Sequence, residues 1–324
     1  MFTSFHEYWR TRKPVVDAAL TRSLCGLLDD VTLNDEALLL ASLKAGKMIR
    51  GGLTCMVGEA LGGTLDAAVP RAISIEMIQA ATLIHDDFID GDTTRRGRPS
   101  TWTVEGARRA VLVGDVIFAF AIKMMSDLGK KDGASVSHAI AQLSRGALHE
   151  ALDPIAFARQ IESGSVDKLL YEKIIHLKTA ILFGTACLLG AIAAKGDRKL
   201  GDVFYRYGLR IGEAYQIADD LQEVKVHFAS GAVNANQMAA LTPLFLRFVD
   251  GARHLVIVLL RGEVASLDGE GLRLFRDAQE VMETEIKSRL QSATNEVENN
   301  LPDNSYTELL RRAPRDIIEM FNAS

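Results

Sequence analysis

The sequence predicts an all-α protein, one helical domain over residues 1–324. Apolar residues recur three or four positions apart through most of the chain, the spacing that places them on one face of a helix. Only seven prolines interrupt it, and no period-two run rich in β-branched residues stands between turn signals. No Gly/Ser-rich or Pro-rich linker divides it, and no repeat of solenoid length is visible.

In chain order, residues 15–29 (VVDAALTRSLCGLLD) give the first helix and residues 35–45 the second. GKMIR, residues 46–50, opens another helix. Residues 71–90 are apolar on nearly every side, as are residues 166–194, so both are expected at the centre. Residues 110–128, 136–151 and 202–224 keep the three-to-four spacing on one face. Residues 272–297 carry a strongly charged face and belong on the outside.

Composition narrows the function. A chain that is 48% hydrophobic and 24% charged has the balance of a globular protein with a real core. A net charge of -5 argues against a general nucleic-acid binder, which needs a basic surface to displace counterions. Cys25, Cys55 and Cys187 are scattered and odd in number, which fits a reducing compartment without a disulfide framework. The opening MFTSFHEYWRTRKP lacks the apolar stretch of a signal peptide. The longest apolar run, AILFGTACLLGAIAA at 180–194, falls short of a bilayer span and reads as a buried core helix. A cytoplasmic protein with no transmembrane segment is the expectation.

Two acidic clusters carry the chemistry. Asp86, Asp87 and Asp90 close the helix ATLIHDDFID, with Asp86 and Asp90 one turn apart on the same face. Like charges at that spacing destabilise a helix unless something compensates them. Carboxylates are hard ligands suited to Mg²⁺, which binds through a few of them together with substrate phosphates; a solvated acidic helix end would look the same. Asp219, Asp220 and Glu223 repeat the pattern in IGEAYQIADDLQEV, just after Gln216. Carboxylates on an otherwise apolar helix are costly without cations, so two such triplets fit two walls of a metal-holding cavity. Arg95, Arg96 and Arg98 follow the first cluster, and Arg makes planar, bidentate contacts to phosphate. Taken singly, Lys47 and Arg50 read more readily as surface charges than as ligand contacts. Lys178, beside Thr179, interrupts a nearly continuous apolar helix. No persuasive Ser/His/Asp or Cys/His arrangement accompanies these groups, so His85 and His149 read as structural.

These residues resemble the trans-isoprenyl diphosphate synthase (polyprenyl synthetase) family. Its ordered signature is Gly-Lys-Arg-x-Arg-Pro, a first DDxxD with Arg-Arg-Gly, a Lys-Thr helix and Gln-x-x-DDxxD. Here the matching segments are GKMIRG (46–51), DDFIDGDTTRRGRP (86–99), KTA (178–180) and QIADDLQE (216–223), in order over roughly residues 40–225. The ending LPDNSYTELLRRAPRDIIEMF resembles the family's last helix more weakly. The resemblance implies a helical bundle around a large central cavity, the isoprenoid synthase type, assembled as a homodimer. It implies that isopentenyl diphosphate is condensed with an allylic diphosphate (dimethylallyl, geranyl or farnesyl). Asp86, Asp87 and Asp90 would bind two Mg²⁺ ions, and Asp219 and Asp220, with Glu223 in the last motif position, a third; Mn²⁺ is the alternative ion. Arg95, Lys178, Thr179 and Gln216 would contact the allylic diphosphate, and Lys47, Arg50, Gln79 and Arg96 that of isopentenyl diphosphate.

The sequence departs from the family at three points. Met48 replaces the middle arginine, Glu223 replaces the last aspartate, and residues 223–243 lack the family's site-closing lysines, with Lys225 alone nearby. A class I terpene cyclase and a non-catalytic partner subunit are the competing readings. The Arg-Arg-Gly segment and the second set of basic residues oppose a cyclase, and the complete first motif opposes an inert subunit. For product length, Thr82 and Ala81 stand four and five residues before Asp86, where family members that stop at C15 hold an aromatic ring. Small side chains there imply a product of C20 or longer. The tail would pass toward Ile78 and Ser74, with Phe118, Ile122 and Met125 limiting it near C20 to C25.

Overall fold

The computed structural model describes residues 2–28, 33, 46–150, 153–167, 169–262, 267, 269–298, 300–301 and 306–322. The predicted helix at 35–45 lies outside these residues. Helix α1, Phe5–Leu28, starts ten residues before the predicted position and continues through Pro14. Phe5, Tyr8 and Trp9 extend its buried face upstream, and the Phe5 amide donates to Asp316 at 2.7 Å near the chain's other end. Helices α2 (Ile49–Ala60) and α3 (Leu65–Ile89) follow, the latter capped where the Thr64 hydroxyl accepts from the Ala67 amide.

The expectation of no strands needs one correction. Thr94–Arg95 (β1) and Arg98–Pro99 (β2) pair antiparallel. The turn between them holds Arg96 at φ 51° and Gly97 at φ 72°, the twin positive values of a two-residue hairpin that matches strand twist. Gly97 was the signal.

Helices α4 (Thr101–Glu105), α5 (Ala107–Leu128), α6 (Lys130–Glu150) and α7 (Pro154–Ser163) come next. Arg71 to Asp132, 2.6 Å, ties α3 to α6. The expected single helix at 166–194 is interrupted. It comprises α8 (Leu170–Ile175), a π-helical turn (His176–Ala180) and α9 (Ile181–Ala193). A one-residue bulge leaves the apolar pattern almost unchanged, which is why spacing could not disclose it.

Helix α10 spans Arg198–Ser230, about 50 Å at the standard rise. Helices α11 (Ala235–Phe248), α12 (Arg253–Leu260), α13 (Gly269–Glu298) and α14 (Thr307–Asn322) complete the described chain. Helix α9 packs against α2, α3, α6 and α10, which makes it the central element the sequence predicted. Glycines bring its backbone close to its neighbours: a methyl on Gly208 of α10 would stand 2.3 Å from the Phe183 carbonyl oxygen. Helix α10 joins two cores. Phe204, Tyr207 and Ile211 belong to the one around α2, α3 and α9. Ile217, Leu221 and Val224 belong to the one formed with α11–α13.

Leu65–Ile89 and Leu170–Ala193 are long and apolar enough to cross a membrane, against the expectation that no segment would be. Most of each window is buried inside the bundle, whose centre they form.

Candidate active site

A cavity of about 900 Å³ opens between α2, α3, the hairpin, α6, the π-turn and α10, within the range of pockets that hold small ligands. Its wall includes Lys47, Arg50, Gln79, Thr82, Asp86, Asp87, Asp90, Arg95, Arg96, Lys178, Thr179, Gln216 and Asp219. Of the predicted metal- and substrate-binding residues, Ala81, Asp220 and Glu223 are absent from it, as are Ile78, Ser74, Ile122 and Met125 from the predicted tail path.

One side is basic. The Trp9 indole donates to the Lys47 carbonyl at 2.7 Å, fixing the turn that leads into α2. Met48, where the family carries arginine, is buried at φ 52° in that turn. The Arg50 guanidinium lies 4.3 Å over the Phe183 ring, and its buried Nε finds no hydrogen-bond partner among the described residues. Burial lowers its pKa, as it does for Lys47, where the Arg96 charge adds to the effect. The surrounding protein and then Arg95 lower that of Arg96. Gly46 makes room for that side chain: an added methyl would stand 3.0 Å from Arg96 Nη1. Glu76 tempers the cluster, its Oε1 accepting from the Gly51 amide at 2.6 Å. Lys47 Nζ also donates to the Met320 and Phe321 carbonyls at the end of α14. Converging cations and a desolvated guanidinium whose Nε has no partner among the described residues suit an anion.

The acidic side is split. Asp86 and Asp90 line the cavity at the end of α3. Asp87 is buried and its Oδ1 is ion-paired to Arg95. Burial raises its pKa and the Arg95 contact opposes that rise. Asp87, expected as a metal ligand, lines the cavity and is also the anchor of Arg95. Across the cavity Asp219 faces Lys178 and Arg95, whose charges work against a burial-driven rise in its pKa. Asp220 turns away to accept from Tyr171 Oη at 2.7 Å and Gln216 Nε2 at 2.8 Å. Burial pushes its carboxyl up to about 7 against these two hydrogen bonds. Glu223 is exposed and lies 3.8 Å from His227 Nε2, one turn further along α10. The position i+4 from Asp219 is thus spent on α10's outer contacts, and Glu223 is corrected as a cavity ligand. Lys225 reaches Glu283 at 3.2 Å on α13, so it does not replace the missing lysines.

Among the described residues, no three His, Cys, Asp or Glu side chains form a ready-made metal cluster. Hard carboxylate oxygens on both walls nevertheless fit Mg²⁺, which keeps several waters and takes one or two protein carboxylates beside substrate phosphates.

Below Asp86, Thr82 and Phe118 line the cavity, with Leu143 and Ala147 opposite on α6. Ala81 is fully buried, as are Ile78, Ser74 and Met125. One residue is about 100° of helix, so Thr82 takes the wall and Ala81 the helix packing. His85 lines the cavity, contacts the Val111 carbonyl at 3.0 Å and packs on Phe118. Sequence reasoning missed Tyr171, Glu76 and Phe321; none lies in a segment singled out for its chemistry.

The polyprenyl synthetase family model matches residues 35–229. The geranylgeranyl diphosphate synthase of Mycobacterium tuberculosis is 34% identical over 181 residues, 56% of this chain and 51% of that protein. The geranylfarnesyl diphosphate synthase of Aeropyrum pernix is 34% identical over 212 residues, 60% of this chain and 64% of that one. The chain thus spans about half the length of the first curated relatives it matches. A crystal structure of the Caulobacter crescentus polyprenyl synthase, complexed with calcium and isoprenyl diphosphate, superposes with a TM-score of 0.71 at 23% identity. It covers 97% of each chain and shows the same all-α fold.

Proposed function

The chain belongs to the polyprenyl synthetase family, and on that premise we propose that it condenses isopentenyl diphosphate with an allylic diphosphate into an all-trans polyprenyl diphosphate. One observation carries the reading: a single cavity gathers more basic and amide side chains than one diphosphate needs, beside carboxylates on both walls. In the division the resemblance implies, Lys47, Arg50, Gln79 and Arg96 would hold one diphosphate, and Arg95, Lys178, Thr179 and Gln216 the other. A terpene cyclase has no use for a second diphosphate site. The relatives named above are described as synthases, which leaves the regulatory-subunit reading without support.

Asp86, Asp90 and Asp219 would hold Mg²⁺, three ions in the arrangement the resemblance implies. Bound there, the ions supply charge that stabilises departing pyrophosphate. Arg95 and Lys178 add positive charge to the same oxygens. Asp87 keeps Arg95 in place. As the allylic C–O bond breaks, the double bond of isopentenyl diphosphate forms the new C–C bond, and a proton leaves for the released pyrophosphate. Lys47, Arg50 and Arg96 fix that second substrate so that its double bond is within reach. The apolar walls around Phe118 and Leu143 keep water from the cation. No side chain need act as nucleophile.

The product we propose is C20 or somewhat longer, because Thr82 leaves the wall below Asp86 open. We further propose a homodimer. The test is purified protein with Mg²⁺, isopentenyl diphosphate and dimethylallyl, geranyl or farnesyl diphosphate in turn. Polyprenyl diphosphate of at least C20 is expected; no product from any primer would overturn the reading.

A further inference from the structure

A chain of four side chains joins α8, the π-turn and α10 just behind the cavity wall. Tyr171 Oη donates to Asp220 Oδ2 at 2.7 Å. Gln216 Nε2 donates to Asp220 Oδ1 at 2.8 Å. Thr179 Oγ1 donates to Gln216 Oε1 at 2.6 Å. With Asp220 ionised the directions are set by chemistry: the carboxylate only accepts, so the Gln216 amide presents nitrogen to Asp220 and oxygen to Thr179. Both Asp220 oxygens therefore have donors, and the side chain stays off the wall that Asp219 joins. The Tyr171 ring is 4% exposed and packs edge-on to Phe248 at 5.2 Å, which fixes where its hydroxyl points.

Thr179 and Gln216 both line the cavity, beside Lys178. Tyr171 does not, yet the chain that orients them ends on its hydroxyl. We propose that Tyr171 is a positioning residue for the allylic diphosphate site, acting through Asp220. It holds Gln216 and Thr179 in register with Lys178, and it reserves Asp220 as an anchor while Asp219 faces the substrates. This rests on reading the cavity as a two-diphosphate site.

The two neighbouring aspartates then have different jobs, and variants separate them. Tyr171→Phe keeps the ring and removes the hydroxyl. Asp220→Asn removes the charge, so both contacts become neutral ones, and Tyr171 Oη must accept instead of donate where the new amide nitrogen faces it. Calorimetry with inorganic pyrophosphate and Mg²⁺ needs no turnover. Each variant should bind pyrophosphate about tenfold more weakly, the scale of one hydrogen bond to a charged group. In steady-state kinetics the KM for the allylic substrate should rise while that for isopentenyl diphosphate holds, a split that a general loss of structure would not give. The double variant should be no worse than Asp220→Asn alone, because the two residues act as one unit. Asp219→Asn should instead raise the Mg²⁺ concentration for half-maximal turnover, a shift Asp220→Asn does not share.

Pyrophosphate binding by Tyr171→Phe equal to wild type, effects that multiply in the double variant, or an equal Mg²⁺ shift in both aspartate variants would each overturn the proposal. If Tyr171→Phe fails to fold, Asp220→Asn reads the same bond from its other end. Wild-type protein that neither binds pyrophosphate nor makes product overturns the diphosphate reading itself. Wild-type binding and turnover with an indifferent Tyr171→Phe overturns this inference alone.

Discussion

At the scale of single residues, side chains that share a charge and line one cavity differ in what else they hold. Asp86, Asp87 and Asp90 all line it, and of the three Asp87 also holds Arg95. Asp86→Ala or Asp90→Ala should cost at least about a hundredfold in turnover, the scale of removing one preorganised charge-stabilising group. Thermal midpoint should stay level or rise slightly, since a like-charge pair one turn apart is relieved. Wild-type turnover in either variant would dismiss the first motif as the metal site. Gly46 supplies a quieter probe. Among the described residues the nearest atoms to its added methyl belong to the tip of a flexible Arg96 side chain, at 3.0 Å, so Gly46→Ala should leave stability almost unchanged while displacing that guanidinium. The KM for isopentenyl diphosphate should then rise about tenfold, as when one charge-assisted hydrogen bond is lost; an unaltered KM would show that Arg96 does not touch this substrate.

At the scale of elements, the sequence disclosed the helices with one apolar face and the motifs with unusual charge, and little else. Residues 110–128 and 136–151 were placed within six residues of α5 and α6 at every end. The π-turn was not legible because Lys178 and Thr179 fall at nearly the same periodicity with or without it. Arg96 and Gly97 were read for their charge and motif, yet the same pair makes the hairpin turn. The side each helix turns to the cavity was legible only to about one residue. Asp220 and Glu223 follow Asp219 in the motif and yet leave the wall: Asp220 is held by Tyr171 of α8, and Glu223 lies beside His227, a turn further along α10. The same limit separates Thr82 from Ala81 and gives a sharp test. Thr82→Phe should shorten products toward C15 while substrate consumption continues. Ala81→Phe should destabilise the fold by about 1–3 kcal/mol through overpacking, because that side chain is fully buried. A product distribution unmoved by Thr82→Phe, read by chromatography, would place the floor elsewhere.

At the scale of the whole molecule, α5 contributes a buried face to the bundle and an apolar stripe outside it. Leu112 is 53% exposed and Val116 39%, one turn apart on the same side, with the smaller Ala119 exposed a turn beyond. On an amphipathic helix the outward positions are where charge is expected, and here Asp115 and Lys123 interrupt the stripe without removing it. Scattered apolar residues on a surface need no explanation, but neighbours at i and i+4 form a strip that another helix can cover. The homodimer proposed above gives it a partner: two copies of α5 meeting across a twofold axis, so that each stripe covers the other. Light scattering at micromolar concentration should return twice the chain mass of 35.4 kDa. Leu112→Glu combined with Val116→Glu should lower it to one chain mass while circular dichroism keeps its helical signal, because two like-charged stripes would then face each other with no room for water. A monomeric wild type would remove the dimer from the proposal, and a dimeric double variant would move its interface off α5.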